Sequence, residues 1–220
     1  MEPLTLIIGN KNYSSWSLRP WLLLKQAGIP FSERRIPLYT PQTKADILKH
    51  SPAGKVPVLH DGDISVWDSL AICEYLAEKV PQQPLWPVAA AARARARSVA
   101  CEMHSGFTAL RQNMNMNCRK RLPGKGRTPE VAVDIERICA LWKDSRANFG
   151  KSGDFLFGEF GIADAMYGPV VFRFQTYGVE FAGDAAQYTR TMLAAPSLVE
   201  LAQLAVAEGR AQKKYDGLYG

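Results

Sequence analysis

LTLIIGNKNYSSWSLRPWLLLKQAGIPFSERRIPL, Leu4 to Leu38, is the stretch that decides the fold. Leu4–Ile8 is a short apolar run rich in β-branched residues, which predicts a buried strand. Gly9 and Asn10 break it, and a polar loop runs on to Ser17. Leu18–Ala27 reads as a helix. Ser17 is its expected N-cap, Pro20 is tolerated in the first turn, and Gly28 can end it in the left-handed conformation. Phe31–Leu38 is then a second strand. Strand, helix, strand in about 35 residues is the pattern of a parallel βαβ unit.

A short helix is expected near Thr43–Leu48. Beyond it, Val58–Leu59 and Ile64–Trp67 flank Asp61-Gly62, a strong hairpin signal. Ser69–Lys79 closes the segment with a helix. Val80–Pro87 holds three prolines and two glutamines, a shift in composition that reads as a linker. After it the period becomes helical. Val99, Met103, Phe107, Leu110 and Met114 recur at spacings of three and four, as do Ile135, Ile138, Leu141 and Trp142. Ile162–Phe174 is apolar on most faces, which predicts a helix in the middle of a bundle. Pro196 and Ser197 open a last helix that Gly209 ends. The expected organisation is an α/β domain over 1–80, a linker over 81–89 and an all-α bundle over 90–220.

Composition excludes several classes of protein. Hydrophobic residues make up 47% of the 220 and charged residues 22%, so the chain can build a core. The first apolar run is five residues long with no basic segment before it, unlike a signal peptide. No run approaches the ~20 apolar residues of a membrane span. A soluble, cytoplasmic protein with no membrane partner is expected. Cys73, Cys101, Cys118 and Cys139 form no C-x-x-C pair and have no zinc-ligand spacing, so they read as small hydrophobes in a reducing compartment. His50, His60 and His104 are scattered and suggest neither a metal site nor a catalytic triad. The net charge of +6 is partly gathered at Arg93, Arg95 and Arg97, and again over Arg119–Arg121. It favours anions, but no nucleic-acid module accompanies it.

Four motifs in order resemble the cytosolic glutathione transferase family. Tyr13-Ser14-Ser15-Trp16-Ser17-Leu18-Arg19 is similar to the serine motif of its zeta-like and related bacterial classes. Gly54-Lys55-Val56-Pro57-Val58-Leu59 is similar to the segment carrying a cis-proline. Trp67-Asp68-Ser69-Leu70-Ala71-Ile72 is similar to the Glu/Asp-Ser-x-Ala-Ile signature. Gly161-Ile162-Ala163-Asp164 resembles the family's capping box, with glycine where a hydroxyl residue is usual. The resemblance implies a thioredoxin-like βαβ-ββα domain, a helical bundle, glutathione as co-substrate and a homodimer.

The residues allow the chemistry that the resemblance implies. A free thiol has a pKa of about 8.5, so little of it is ionised at neutral pH. A helix N-terminus and one serine hydroxyl together can hold a thiolate, so Ser14, with Ser15 beside it, is the candidate catalytic group. Loop and capping residues are the other reading of Ser14 and Ser15, and Ser17 reads as a cap. The resemblance implies that the backbone of Val56, turned outward by Pro57, pairs with the cysteinyl unit as an added strand does. An ordinary trans proline at a strand start is the alternative. Lys55 can neutralise the glycine carboxylate, or be a solvated surface lysine. Asp68 can pair with the γ-glutamyl ammonium, and Ser69 with its carboxylate at the helix N-terminus. A plain N-cap fits the same two residues.

An electrophile pocket is expected between the domains, walled by a helix around Phe107–Asn117 and by the buried helix. Phe107, Arg111, Met114 and Tyr167 are its candidate lining, with core packing as the other reading of each. The leading expectation is thiolate attack on a small, mainly apolar electrophile. A glutathione-dependent cis–trans isomerase of the maleylacetoacetate type is the alternative enzyme. A non-enzymatic transferase-like assembly module is the alternative outside enzymology.

Overall fold

A computed structural model of the chain describes residues 4–209 together with Asp216, Gly217 and Tyr219. The outermost positions of the two expected segments, 1–3, 210–215, 218 and 220, lie outside the described residues.

Strand β1 (Leu4–Ile8) leads into α1 (Ser15–Gln26) and β2 (Phe31–Arg35), and β1 and β2 pair in parallel. After α2 (Thr43–Leu48), β3 (Val58–Asp61) pairs antiparallel with β1 and with β4 (Ile64–Trp67), giving the sheet order β2-β1-β3-β4. Gly62, first of the two residues in the β3–β4 loop, takes a positive φ of 56°, which a tight hairpin needs there. β1 is buried on both faces. Leu4, Leu6 and Ile8 join the main core, while Ile7 meets Ile36, Ile47 and Val58 under α2.

Helix α3 (Ser69–Lys79) completes the first segment. Then follow α4 (Ala90–Ser105), α5 (Thr108–Asn113), α6 (Pro129–Phe149), α7 (Ile162–Tyr177), α8 (Gly183–Ala194) and α9 (Pro196–Ala207). The family-style fold is as expected: a mixed α/β sheet layer followed by a helical bundle. One continuous core joins the two, because α7 packs against α1 on one side and α4 on another. A Cβ on Gly168 of α7 would lie 2.5 Å from Leu22 Cδ1, so the absence of a side chain lets these helices approach. No described helix is long and apolar enough to cross a membrane.

Three local expectations change. Helix α1 begins at Ser15, so Ser17 lies inside it and Pro20 sits beyond its first turn. Strand β2 stops at Arg35, because Pro37 has no N–H to pair and the Leu38 amide turns to Asn10 Oδ1 at 2.8 Å. The apolar stripe from Val99 to Met114 is two helices, not one. The chain leaves α4 at Gly106 and passes through Phe107, whose φ is 58°. Arg111 fixes this elbow by donating Nε to the Gly106 carbonyl at 2.8 Å and Nη2 to those of His104 and Met103. The expected helix wall therefore ends at Asn113 rather than Asn117.

Gly161 at the start of α7 has a steric reason. Its missing side chain would place Cβ 2.9 Å from the Leu85 carbonyl oxygen, which also accepts the Ile162 N–H at 3.0 Å. Asp164 supplies the remaining half of the cap, accepting the Gly161 N–H at 3.0 Å. Of the cysteines, Cys73 and Cys118 are buried like small hydrophobes, whereas Cys101 is exposed.

Candidate functional site

The loop after β1 delivers three serines to the first turn of α1. Ser14 is the N-cap residue, yet its hydroxyl makes no capping bond. It lies 2.8 Å from Ser17 Oγ, which accepts the Gly9 N–H at 3.0 Å. With one lone pair of Ser17 held by that amide, its own proton can point to Ser14 Oγ. The Ser14 proton is then left for a ligand at the positive end of the helix. Glycine at position 9 lets the loop pack closely here. A Cβ there would meet Leu38 Cδ1 at 2.5 Å and Ser14 Cβ at 3.1 Å. Side chains from the helical part brace the loop: Asn12 Nδ2 donates to Asn117 Oδ1 at 2.9 Å, and Arg119 Nη2 to the Tyr13 hydroxyl at 2.7 Å.

Asp68 and Ser69 stand where β4 passes into α3. Asp68, at φ 75°, caps α3 with Oδ1, which accepts from Leu70 N at 2.8 Å and Ala71 N at 3.3 Å. Its Oδ2 faces His104 Nε2 at 3.2 Å. Burial lowers the pKa of His104, with Asp68 opposing the shift. The capping reading of Asp68 is thus observed, and it leaves the carboxylate charge half exposed. Ser69 is buried, and Arg19 Nη1 approaches its Oγ at 3.4 Å.

Arg19 is a charged group with no exposed surface. Its Nε and Nη2 have no hydrogen-bond partner among the described residues. Desolvation, then repulsion from Arg111 and Arg173, pushes its pKa down, and the attraction of Asp68 is the weakest influence. Guanidinium stays protonated in proteins, so the unfavourable energy remains as a demand for an anion beside Ser69.

The Val56–Pro57 bond is cis, as the resemblance implies and against the trans alternative. Pro57 is buried and Val56 half-buried, next to β3, whose partner strands are β1 and β4. Lys55 is exposed beside them.

The expected pocket residues divide. Met114 and Tyr167 have no exposed surface. Tyr167 packs edge-on to Trp142 and donates its hydroxyl to the Val99 carbonyl at 3.2 Å. Phe107 is 8% exposed at the elbow. Arg111 is half-buried there, with its guanidinium 4.8 Å from the Trp16 ring. Trp16, exposed between the serines and the elbow, also has Arg19 4.2 Å from its ring and the His104 ring at 5.2 Å. Sequence reading missed Trp16 and His104 because neither carries a periodic signal. It also missed Arg173, although a lone cation in the mostly apolar stretch Ile162–Phe174 was a legible sign.

The chain matches the model of the glutathione S-transferase N-terminal domain over residues 13–79 and that of the C-terminal domain over 126–198. Among curated relatives, it is 32% identical to glutathione S-transferase 1 of Dianthus caryophyllus over 76% of each chain. It is 35% identical to a probable maleylacetoacetate isomerase of Caenorhabditis elegans, over 76% of this chain and 77% of that one. A stringent starvation protein A homolog of Haemophilus ducreyi is 27% identical over 74% of this chain and 71% of its own. In fold, the chain is similar to a Burkholderia glutathione transferase homolog with bound glutathione, at a TM-score of 0.71 and 21% identity. That match covers 94% of this chain and all of the other.

Proposed function

The chain belongs to the glutathione S-transferase family, and from that we propose that it is a glutathione transferase that ionises bound glutathione for attack on a small, mainly apolar electrophile. The observation that carries the proposal is the arrangement at the head of α1. A Ser14 hydroxyl that caps nothing in α1 and is bonded to Ser17 stands at the helix N-terminus, and Arg19, with two unsatisfied donors, lies in the same helix beside Ser69. The thiol proton passes to water, and the sulfur accepts a hydrogen bond from Ser14. Its electron pair forms the carbon–sulfur bond, and the leaving group departs with the pair of the bond that breaks.

Glutathione has a matching part for each group. Val56 offers its backbone to the cysteinyl unit. Ser69 and its amide at the α3 N-terminus take the γ-glutamyl carboxylate, with the buried Arg19 charge behind Ser69 favouring the anion, Asp68 takes the ammonium, and Lys55 takes the glycine carboxylate. Trp16, Phe107 and Arg111 stand where an electrophile meets the sulfur. Calorimetry tests this reading. Glutathione is expected to give binding heat at millimolar concentration. Asp68→Asn, which keeps an oxygen for the α3 cap, is expected to weaken binding and raise KM while leaving kcat unchanged. Folded wild-type protein with no heat at that concentration would sink the assignment.

The likeness to the isomerase from Caenorhabditis elegans supports a second enzyme reading, glutathione-dependent cis–trans isomerisation. A panel of maleyl-type isomers and alkylating electrophiles separates the two. A purely structural assembly role predicts turnover of neither. The protein is also proposed to be a homodimer, since edge strand β4 exposes Ile64 and Trp67. Sedimentation is expected to report twice the 24.4 kDa chain mass, and a monomer at micromolar concentration contradicts the proposal.

A further inference from the structure

We propose that Arg173 of α7 is a positioning residue for the thiolate: by donating to Ser15 Oγ, it obliges the Ser15 proton to point into the cleft. The proposal rests on the glutathione reading above. Its basis is a contact between the two halves of the chain. Arg173 is 5% exposed, in a helix whose neighbouring side chains Val170, Val171, Phe172 and Phe174 are all core. Its Nη2 reaches Ser15 Oγ at 3.3 Å, while Nη1 holds the Pro169 carbonyl at 3.3 Å.

A guanidinium has five donors and no acceptor. Ser15 Oγ is therefore the acceptor in this bond, and its own hydrogen must be used elsewhere. Ser15 is the first residue of α1, next to Ser14, so an anion bound at the helix end is within the sphere of both hydroxyls. A hydroxyl that already accepts from a cation is a stronger donor, because hydrogen bonds in a chain polarise one another. The positive charge behind it acts in the same direction, favouring thiolate over thiol. Ser14, supported through Ser17, and Ser15, supported through Arg173, form two converging donors.

Other charged and titratable groups face this region. Arg19 comes from α1, Arg111 from α5, His104 from α4, and Asp68 and Cys73 from the start of α3. Cys118 and Tyr177 lie beside Arg173 itself. Arg19 and Arg111 also favour an anion, so removing Arg173 should shift the thiol titration partially.

The experiment titrates the ultraviolet absorbance of the thiolate in protein saturated with glutathione. Ser15→Ala is expected to raise the thiol pKa by about half a unit to one unit, and Arg173→Gln by about one unit. The double variant should shift by less than the sum of the two single shifts, since part of each acts through the one bond. Arg173→Lys keeps the charge but loses the fork that serves Ser15 and Pro169 together, and should fall between wild type and Ser15→Ala. A purely structural role for Arg173 would lower thermal stability and leave the titration in place. If Ser15→Ala shifts the titration and a folded Arg173→Gln does not, the positioning role is wrong. Should Arg173→Gln fail to fold, a wild-type titration in Arg173→Lys overturns the role instead. If neither Ser14→Ala nor Ser15→Ala moves the pKa, the hydroxyl mechanism itself has failed, which is a different result.

Discussion

Ser14→Ala is expected to raise the pKa of bound glutathione by about one to two units and to lower kcat at neutral pH roughly 10- to 100-fold. The estimate follows from the bond lost. A hydrogen bond to a charged acceptor contributes ~1.5–3 kcal/mol, and one pKa unit is about 1.4 kcal/mol. The cost to stability should be small, because the Ser14 side chain caps nothing in α1. Binding of the tripeptide should hold, since its peptide and glutamyl anchors are separate residues. The pH–rate profile therefore moves to higher pH at nearly constant affinity. Ser17→Ala should move it in the same direction by less, because Ser17 supports Ser14 from inside the helix rather than capping it. Thiolate absorbance in each variant is the deciding measurement. An unchanged titration in Ser14→Ala would remove Ser14 from the mechanism.

The second large effect concerns folding. Asp164, at the start of α7, is buried and accepts three hydrogen bonds: from Gly161 N at 3.0 Å, Leu156 N at 3.1 Å and the Tyr188 hydroxyl at 2.9 Å. Asp164→Ala leaves these donors unmatched around the helix that joins both halves of the core. At ~1–3 kcal/mol for each of the three unsatisfied buried donors, the loss is about 3–9 kcal/mol, a large part of the usual ~5–15 kcal/mol of a folded domain.

The loss depends on pH. Burial pushes the Asp164 carboxyl up to about 6, against about 3.9 in an unfolded chain. Between those values the folded protein keeps a proton that the unfolded chain releases. Wild-type stability therefore declines as pH rises from about 4 to about 6, by up to ~3 kcal/mol. The alanine variant lacks that slope, so its deficit is largest at about pH 4 and below and smaller above pH 7. Urea unfolding at the two pH values measures both. Equal stability of the variant and the wild type at about pH 4 would refute the argument.

Much of the fold is determined by short-range pattern. Leu4–Ile8, Thr43–Leu48, Ile64–Trp67 and Ser69–Lys79 occupy the expected bounds, because strand alternation, turn glycines and an Asp N-cap act within a few residues. The buried α7 was legible for the same reason: a helix apolar all round has nowhere to go but the interior. Ser14, Asp68 and Ser69 were legible as residue types at the ends of such elements.

What tertiary structure alone decided is where long-range partners sit. Periodicity reports which face a residue presents and is silent on what lies opposite. It ran α4 into α5, because the Arg111 bonds to three backbone carbonyls that break the stripe leave no trace in spacing. Residue type put the N-cap at Ser17 instead of Ser14, because the Gly9 amide that occupies the Ser17 hydroxyl lies across the loop. It did not explain Gly161, whose missing Cβ makes room for the Leu85 carbonyl. Above all, it did not bring Arg173 to Ser15, 158 residues away. A buried charge and the group it polarises are set by distance and desolvation in three dimensions, and those exist only once α7 has packed against α1.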